Sequence, residues 1–469
     1  GLAECRWPSD HDTGAERRQC NAGPYADTGT NVMSGPVIGM VAVAAMLVMM
    51  ALRIPIAISM FLAGAVGYVS VSGWIPLLGY LKTSPYYQMS SYSLSVVPLF
   101  LLMGHLATHS GMSKALFNAA NVALGRFRGG LSMASIGACA MFGAICGSSL
   151  ATAATMGQVA LPEMKRRKYS DALATGTMAA GGTLGILIPP SVILVIYAIL
   201  TEQNVAKMFL AAFVPGLLAA VGYLIAIAIY VRLKPESGPA GEPLGKQQIR
   251  EALLGSAPAV VIFVVVIGGI YGGIFTPTEA ATFGVIGVAA IAVVNGMRWA
   301  GLKEALTGTA VSTGMIYMIL LGADIFNAFL SQTQLPQTLA ATIGGSGLSP
   351  MTILIMILVL YLVLGCVIDA LSMILLTIPI FFPIIAALDF GMSPEHTAIW
   401  FGIIVLIVVE VGLITPPVGM NVFVINKLAG DVPIADSFKG VVPFLISDFV
   451  RVALLLAFPA ITLFMLEVF

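Results

Sequence analysis

GTLGILIPPSVILVIYA (residues 182–198) and VGLITPPVGMNVFVIN (residues 411–426) share one interruption, a Gly and a Pro-Pro pair set inside a stretch otherwise apolar enough to cross a bilayer. Proline has no N–H to donate and its ring clashes with the preceding helical turn. Each stretch is therefore predicted to be two half-helices joined by unwound backbone. In lipid such a break leaves amides and carbonyls without partners, and it persists only where the backbone lines a cavity or binds something.

The composition sets the solvent. Of 469 residues, 58% are hydrophobic and 9% charged, with a mean hydropathy of +0.98, against a charged fraction of about 25% in soluble domains. This is a polytopic membrane protein embedded in a lipid bilayer. The 50 Gly and 26 Pro suit membrane helices, which use small residues for close packing. The net charge of zero indicates no nucleic-acid surface. Cys5, Cys20, Cys139, Cys146 and Cys366 show no metal-ligand or disulfide spacing, and the last three, lying in apolar runs, read as small hydrophobes. Residues 1–32 are polar and unlike the rest. They contain no apolar signal core, so they read as a disordered or non-native tail, with the native start near Met33.

From there, apolar segments recur at 36–52, 54–72, 93–110, 172–201, 206–231, 254–275, 279–296, 308–330, 397–426 and 441–466, together with two hairpin-like pairs at 131–163 and 350–387. Basic clusters at Arg126 and Arg128, at Lys165, Arg166, Arg167 and Lys168, and at Arg232, Lys234, Lys246 and Arg250 mark cytoplasmic ends. The first pair then enters from the cytoplasm. The second, flanked by SQTQLPQTLA and DFGMSPEHTA with no Lys or Arg, enters from outside. Opposite entry is the mark of an inverted repeat, and CGSSLAT (146–152) lies opposite CVIDALS (366–372), each followed by a Pro-Pro pair. The expected organisation is a first repeat over 33–231 and a second over 252–469, joined by a solvated cytoplasmic linker at 232–251. The fold class is an all-α polytopic, inverted-repeat, ion-transporter-type fold with two re-entrant hairpins and two broken helices.

The first hairpin tip, GSSLATAATMG (147–157), gathers hydroxyls where hydrocarbon is expected. Ser148, Ser149 and Thr152 either ligate a small cation or bond to carbonyls a turn back. Thr183 and Ser191 stand at the facing break, beside Gly182, Gly185, Pro189 and Pro190. In the second half Asp369 occupies the tip, with Ser372 nearby and Gly412, Thr415, Pro416, Pro417 and Asn421 at the break. An ionisable group at this depth marks an ion partner or proton relay, or else caps a helix. Freed carbonyls suit a cation and half-helix N-termini suit a carboxylate. Glu410 and Asp324 are the other deep acids, His105 reads as a packed histidine, and Asp448 with Arg451 as a pair on one helix face. There is no P-loop, HExxH or dinucleotide fingerprint, so this chain reads as no enzyme and no ATP-driven pump. An intramembrane hydrolase finds no base beside Ser148 and no GxGD-like motif with Asp369.

On GAICGSSLATAATMGQVALPEM, GGTLGILIPPSVILVIYA, LGCVIDALSMILLTIPIFFPI and VGLITPPVGMNVFVI the chain resembles the large membrane subunit of tripartite ATP-independent periplasmic (TRAP) transporters of the dicarboxylate and sialic-acid type. The likeness runs from Met33 onward. It implies a bacterial inner-membrane permease that imports carboxylate-bearing organic anions with sodium by an elevator movement, alongside a small membrane subunit and a periplasmic solute-binding protein. No fused small subunit is seen, so that partner is expected as a separate chain. Carried over by position, Gly147, Ser148, Ser149, Thr152, Gly182, Thr183, Gly185, Pro189, Pro190 and Ser191 would frame one sodium and substrate site. Asp369, Ser372, Gly412, Thr415, Pro416, Pro417 and Asn421 would frame another, with Ser148, Ser149, Thr183, Asp369 and Thr415 as sodium-ligand candidates and no other cofactor. The nearest alternative is a stand-alone sodium- or proton-coupled carboxylate carrier of similar fold.

The charge pattern makes one direct prediction. A cysteine placed within 165–168 should resist an impermeant thiol reagent in intact cells and react after the membrane is opened; labelling from outside contradicts the topology.

Overall fold

The computed structural model describes residues 34–241, 245–344 and 347–468; the polar tail read at 1–32 lies outside the described residues. The described residues form 20 α-helices and two short 3-10 turns, with no strand among them. In chain order the first are α1 (Gly35–Ala51), α2 (Ile56–Ser72), α3 (Trp74–Met89), α4 (Val96–His109), α5 (Met112–Leu124), α6 (Gly130–Cys146), α7 (Ser149–Arg166), α8 (Asp171–Leu187), α9 (Val192–Leu200) and α10 (Val205–Leu233). They are followed by α11 (Lys246–Tyr271), α12 (Pro277–Val294), α13 (Trp299–Thr333), α14 (Leu335–Gly344), α15 (Pro350–Gly365), α16 (Ala370–Ala386), α17 (Pro394–Gly412), α18 (Met420–Ala429), α19 (Ile434–Ala457) and α20 (Pro459–Val468).

Seven of the described helices are long and apolar enough to cross a bilayer, or eight when α8 and α9, bent by 45° at their junction, count as one span. Residues such as Val221, Ile225 and Ile229 on α10 and Val261 and Val264 on α11 point outward, which in water would be a liability and in lipid is the required surface. With 35 residues, α13 is about 50 Å long at 1.5 Å per residue, more than the hydrocarbon needs.

Packing sorts the helices. Along one side α2 runs against α13, α4 against α12 and α11 against α12. On the other, α8 is enclosed by α6, α7, α18 and α19, while α15 and α16 pack on α17. The second set holds both interrupted stretches, and α17 is buried along nearly its whole length.

Several boundaries differ from the sequence reading for physical reasons. α3, α5 and α14 lie outside the expected spans because they are too short or too polar to cross alone. The segment expected as one span at 441–466 is two helices, since Pro459 cannot continue the ladder of α19. The linker expected over 232–251 is shortened by α10 and α11 at its two ends; residues 232–236 are exposed, and those that follow are tied to the rest of the chain. Ser237 is buried, its carbonyl accepts from Ser170 N–H, Gly238 O accepts from Gly129 N–H, and Pro239 O accepts from the Tyr169 hydroxyl. The linker thus clasps the chain just before α6 and α8.

The tightest crossing is α8 on α19. A Cβ built on Gly440 would collide with the Ala172 carbonyl oxygen, and one on Gly176 with that of Gly440. Gly440→Leu is therefore expected to destabilise the protein by about 1–3 kcal/mol through overpacking, read as a lower melting temperature in detergent.

Candidate functional site

The first break is dictated locally. Proline forces its predecessor out of the helical region, and Ile188 accordingly turns extended (φ −93°, ψ 121°) as α8 ends. The Pro189-Pro190 peptide is cis, and Ser191, also extended, caps α9 by accepting from Leu194 N–H at 3.4 Å. Facing it is the α6/α7 tip, where Gly147 sits in the left-handed region (φ 65°) and Ser148 caps α7 by accepting from Ala151 N–H at 3.4 Å. Tip and break meet where side chains are missing: a Cβ on Gly185 would lie 2.8 Å from Ser148 O and 2.5 Å from Thr152 Oγ1, and one on Gly182 3.1 Å from Ser149 O.

The second half repeats this plan. α15 ends at Gly365, and Asp369 caps α16 by accepting from Ser372 N–H at 3.0 Å. Beyond α17 the backbone unwinds through a cis Pro416-Pro417 peptide, and α18 starts after Gly419, which is left-handed (φ 60°). The Cys366 thiol divides its one hydrogen between Leu362 O at 3.2 Å and Pro416 O at 3.3 Å, which reaches across to the break, and a Cβ on Gly412 would lie 2.7 Å from the backbone of Gly365. Each tip thus rests on the break in its own half. Pro189 and Pro190 are buried, however, whereas Pro416 and Pro417 are exposed.

Among the hydrogen bonds that join the halves, two start from residues of the tips and breaks themselves. Ser149, 2% exposed, donates to Glu410 Oε1 at 3.2 Å, and Asn421 Nδ2 donates to Ala179 O at 3.4 Å. A third polar chain runs outward from the first break: Thr183 Oγ1 lies 3.0 Å from the Tyr223 hydroxyl, which donates to Asp448 Oδ2 at 2.8 Å. Asp448 Oδ1 accepts from Arg451 Nη2 at 2.7 Å, so the expected Asp448–Arg451 pair is present, and buried.

Among the residues picked out by sequence, Ser148, Ser191 and Asp369 spend one acceptor on capping. Thr415 donates to Val411 O at 2.6 Å, and the one Thr183 hydrogen is divided between Ala180 O at 2.7 Å and the Tyr223 hydroxyl at 3.0 Å. Thr152 Oγ1 and Asn421 Oδ1 are buried with no hydrogen-bond partner. Ser372 is buried beside its cap. Glu410 had only its position before the second break to recommend it, and Tyr223, a hydroxyl in an apolar helix, gave no signal. Asp324 stands apart, held by the Tyr80 hydroxyl at 2.8 Å and by Ser84, and His105 packs over Gly308. Cys139, Cys146 and Cys366 are buried free thiols.

Chemically, the centre offers hydroxyls, an amide oxygen, carboxylates and carbonyls at helix C-termini, all hard oxygen donors. It also presents four helix N-termini, those of α7, α9, α16 and α18, whose partial positive charge favours an anion.

Comparison with known proteins agrees. Residues 43–461 match the family described as the tripartite ATP-independent periplasmic transporter, DctM component. The C4-dicarboxylate TRAP transporter large permease protein of Pseudomonas aeruginosa is 37% identical over 377 residues, covering 79% of this chain and 86% of that protein. The sialic acid TRAP transporter large permease protein of Vibrio cholerae is 33% identical over 386 residues, covering 81% and 88%. The isethionate TRAP transporter permease of Oleidesulfovibrio alaskensis is 32% identical over 382 residues, covering 81% of this chain and 59% of that protein. In fold, the crystal structure of the YdaH transporter of Alcanivorax borkumensis superposes with a TM-score of 0.63 at 15% identity, over 89% of this chain and 97% of that one.

Proposed function

Because the chain belongs to the DctM component family of tripartite ATP-independent periplasmic transporters, we propose that it is the large permease subunit of a sodium-coupled importer of carboxylate-bearing organic anions. C4-dicarboxylates or sialic acid are the candidate cargo, since these are the solutes in the names of its relatives. It works in a bacterial inner membrane with a small membrane subunit and a periplasmic solute-binding protein; this chain matches 59% of the length of the isethionate permease protein DctMQ.

The observation that carries the reading is the pair of unwound breaks, each seated on its own hairpin tip and linked across the halves by Ser149 and Glu410. Sodium is held on oxygens at the two tips, one site framed by Ser148, Ser149, Thr152 and Thr183 and the other by Asp369, Ser372, Thr415 and Asn421. The cargo carboxylate lies between, on the N-terminal ends of the half-helices, so that anion and cation offset one another in a medium that solvates neither. The set formed by α6 to α10 and α15 to α19 carries this centre against the α2, α4, α11, α12 and α13 side, an elevator movement supported by the division of packing.

Uptake of a labelled dicarboxylate or sialic acid into proteoliposomes should require a sodium gradient and the cognate binding protein. Undiminished uptake without the binding protein points instead to a stand-alone carrier. Asp369→Asn keeps an N-cap, since Asn caps as well as Asp, while removing the charge; Ser149→Ala removes one hydroxyl. Each should raise the sodium concentration for half-maximal uptake by about ten-fold or more at near-normal expression. An unchanged sodium dependence in both argues against these ion sites.

A further inference from the structure

The bond that crosses from the first tip to the second broken helix ends on a carboxyl group that has no ion-pair partner among the described residues. Glu410 is 1% exposed, in the last turn of α17. Its Oε1 accepts from Ser149, and its Oε2 is buried with no hydrogen-bond partner. Asp448 and Arg451 are buried as well, and Arg451 is already bound to Asp448 at 2.7 Å. With both acids ionised there is one guanidinium for two carboxylates, and Asp448 holds it. The set is one positive charge short, in an interior where an unmatched charge is costly.

The direction of the Ser149 bond matters. A serine hydroxyl has one hydrogen and two lone pairs. With the hydrogen given to Glu410, both lone pairs turn away from the carboxylate and gain electron density from it, the state of a hydroxyl prepared to ligate a cation. Other buried acceptors without partners lie on α7 and α18. Thr152 Oγ1, one turn along α7, sits against Gly185 of α8, and Asn421 Oδ1 belongs to the side chain whose amide reaches Ala179 of α8.

We propose that Glu410 is a positioning residue for a monovalent cation at the α6/α7 tip: it aims the Ser149 hydroxyl and supplies, one hydroxyl removed, the negative charge that the cation answers. The inference rests on the sodium coupling proposed above and adds that the first ion site draws its charge from the other half of the chain. Occupancy of that site then depends on where the end of α17 stands. A shift that separates Glu410 from Ser149 releases the ion.

Direct binding of radioactive sodium to the detergent-purified full-length protein tests this without any cargo, beside melting temperatures in sodium and in choline chloride. Glu410→Gln should weaken sodium binding by about ten-fold or more, as expected for a charge lost a few ångströms from the ion. Because it removes an unmatched buried charge, it should also melt higher than wild type in choline and lose the sodium-dependent rise that wild type shows. Glu410→Met, of similar length and without charge, should behave alike. Sodium binding as tight as wild type in Glu410→Gln overturns the inference, as does a lower melting temperature in choline or loss of the fold in both variants, which would mark a structural role. Wild-type protein that binds no sodium overturns the ion coupling itself, and this inference with it.

Discussion

A backbone carbonyl or amide stripped of its helical partner in the middle of a bilayer has no water to turn to, and most of the central architecture answers that fact. The two Pro-Pro pairs create the deficit by covalent necessity. The two hairpins meet it. Gly147 brings the first tip against the first break, the Cys366 thiol donates to Pro416 O, and Ser148, Ser191 and Asp369 close the new N-termini with their side chains. Such contacts need backbones closer than any Cβ allows, which is why Gly185 and Gly412 stand where the tips approach.

The same polar groups cannot be spent twice, and the accounting separates framework from function. A hydroxyl that caps a helix uses one lone pair; its second lone pair remains for a ligand, as at Ser148 and Ser191. Thr415 gives its hydrogen to a carbonyl in the preceding turn, Thr183 divides its one hydrogen between Ala180 O and the Tyr223 hydroxyl, and both keep acceptor capacity. The capping reading and the ion-binding reading of these residues are thus compatible, for caps and back-bonds hold the oxygens in place.

How much of this was legible follows from the distance over which each feature acts. The breaks at 188–191 and 413–419 are written in adjacent residues, because a proline acts on its own amide and on its immediate neighbour. The tips, with a cap residue at the start of a long apolar helix, are nearly as local. By contrast, Ser149 and Glu410 are 261 positions apart, and Tyr223 and Asp448 are 225 apart. No periodicity links them; only the fold does. The amphipathic α5 and the proline-containing α3 fell below the length and apolarity by which spans are recognised, and the bonds that tie 237–239 to the chain ahead of α6 and α8 leave no local mark in the sequence.

The halves repeat a plan but not an environment. The first break is enclosed, with Thr183 tied through Tyr223 to the Asp448–Arg451 pair on α19, while the second leaves Pro416 and Pro417 exposed with Val367 beside them at the facing tip. A buried ion pair contributes little net stability, since desolvation offsets its attraction, yet it resists any arrangement that separates its members. Placed behind the first break, the pair holds α8, α10 and α19 in one register through directional bonds. The second break has no such anchor among the described residues and keeps one flank open. Two breaks with the same sequence pattern are thus set in different surroundings, the first tied to a buried ion pair and the second open on one side.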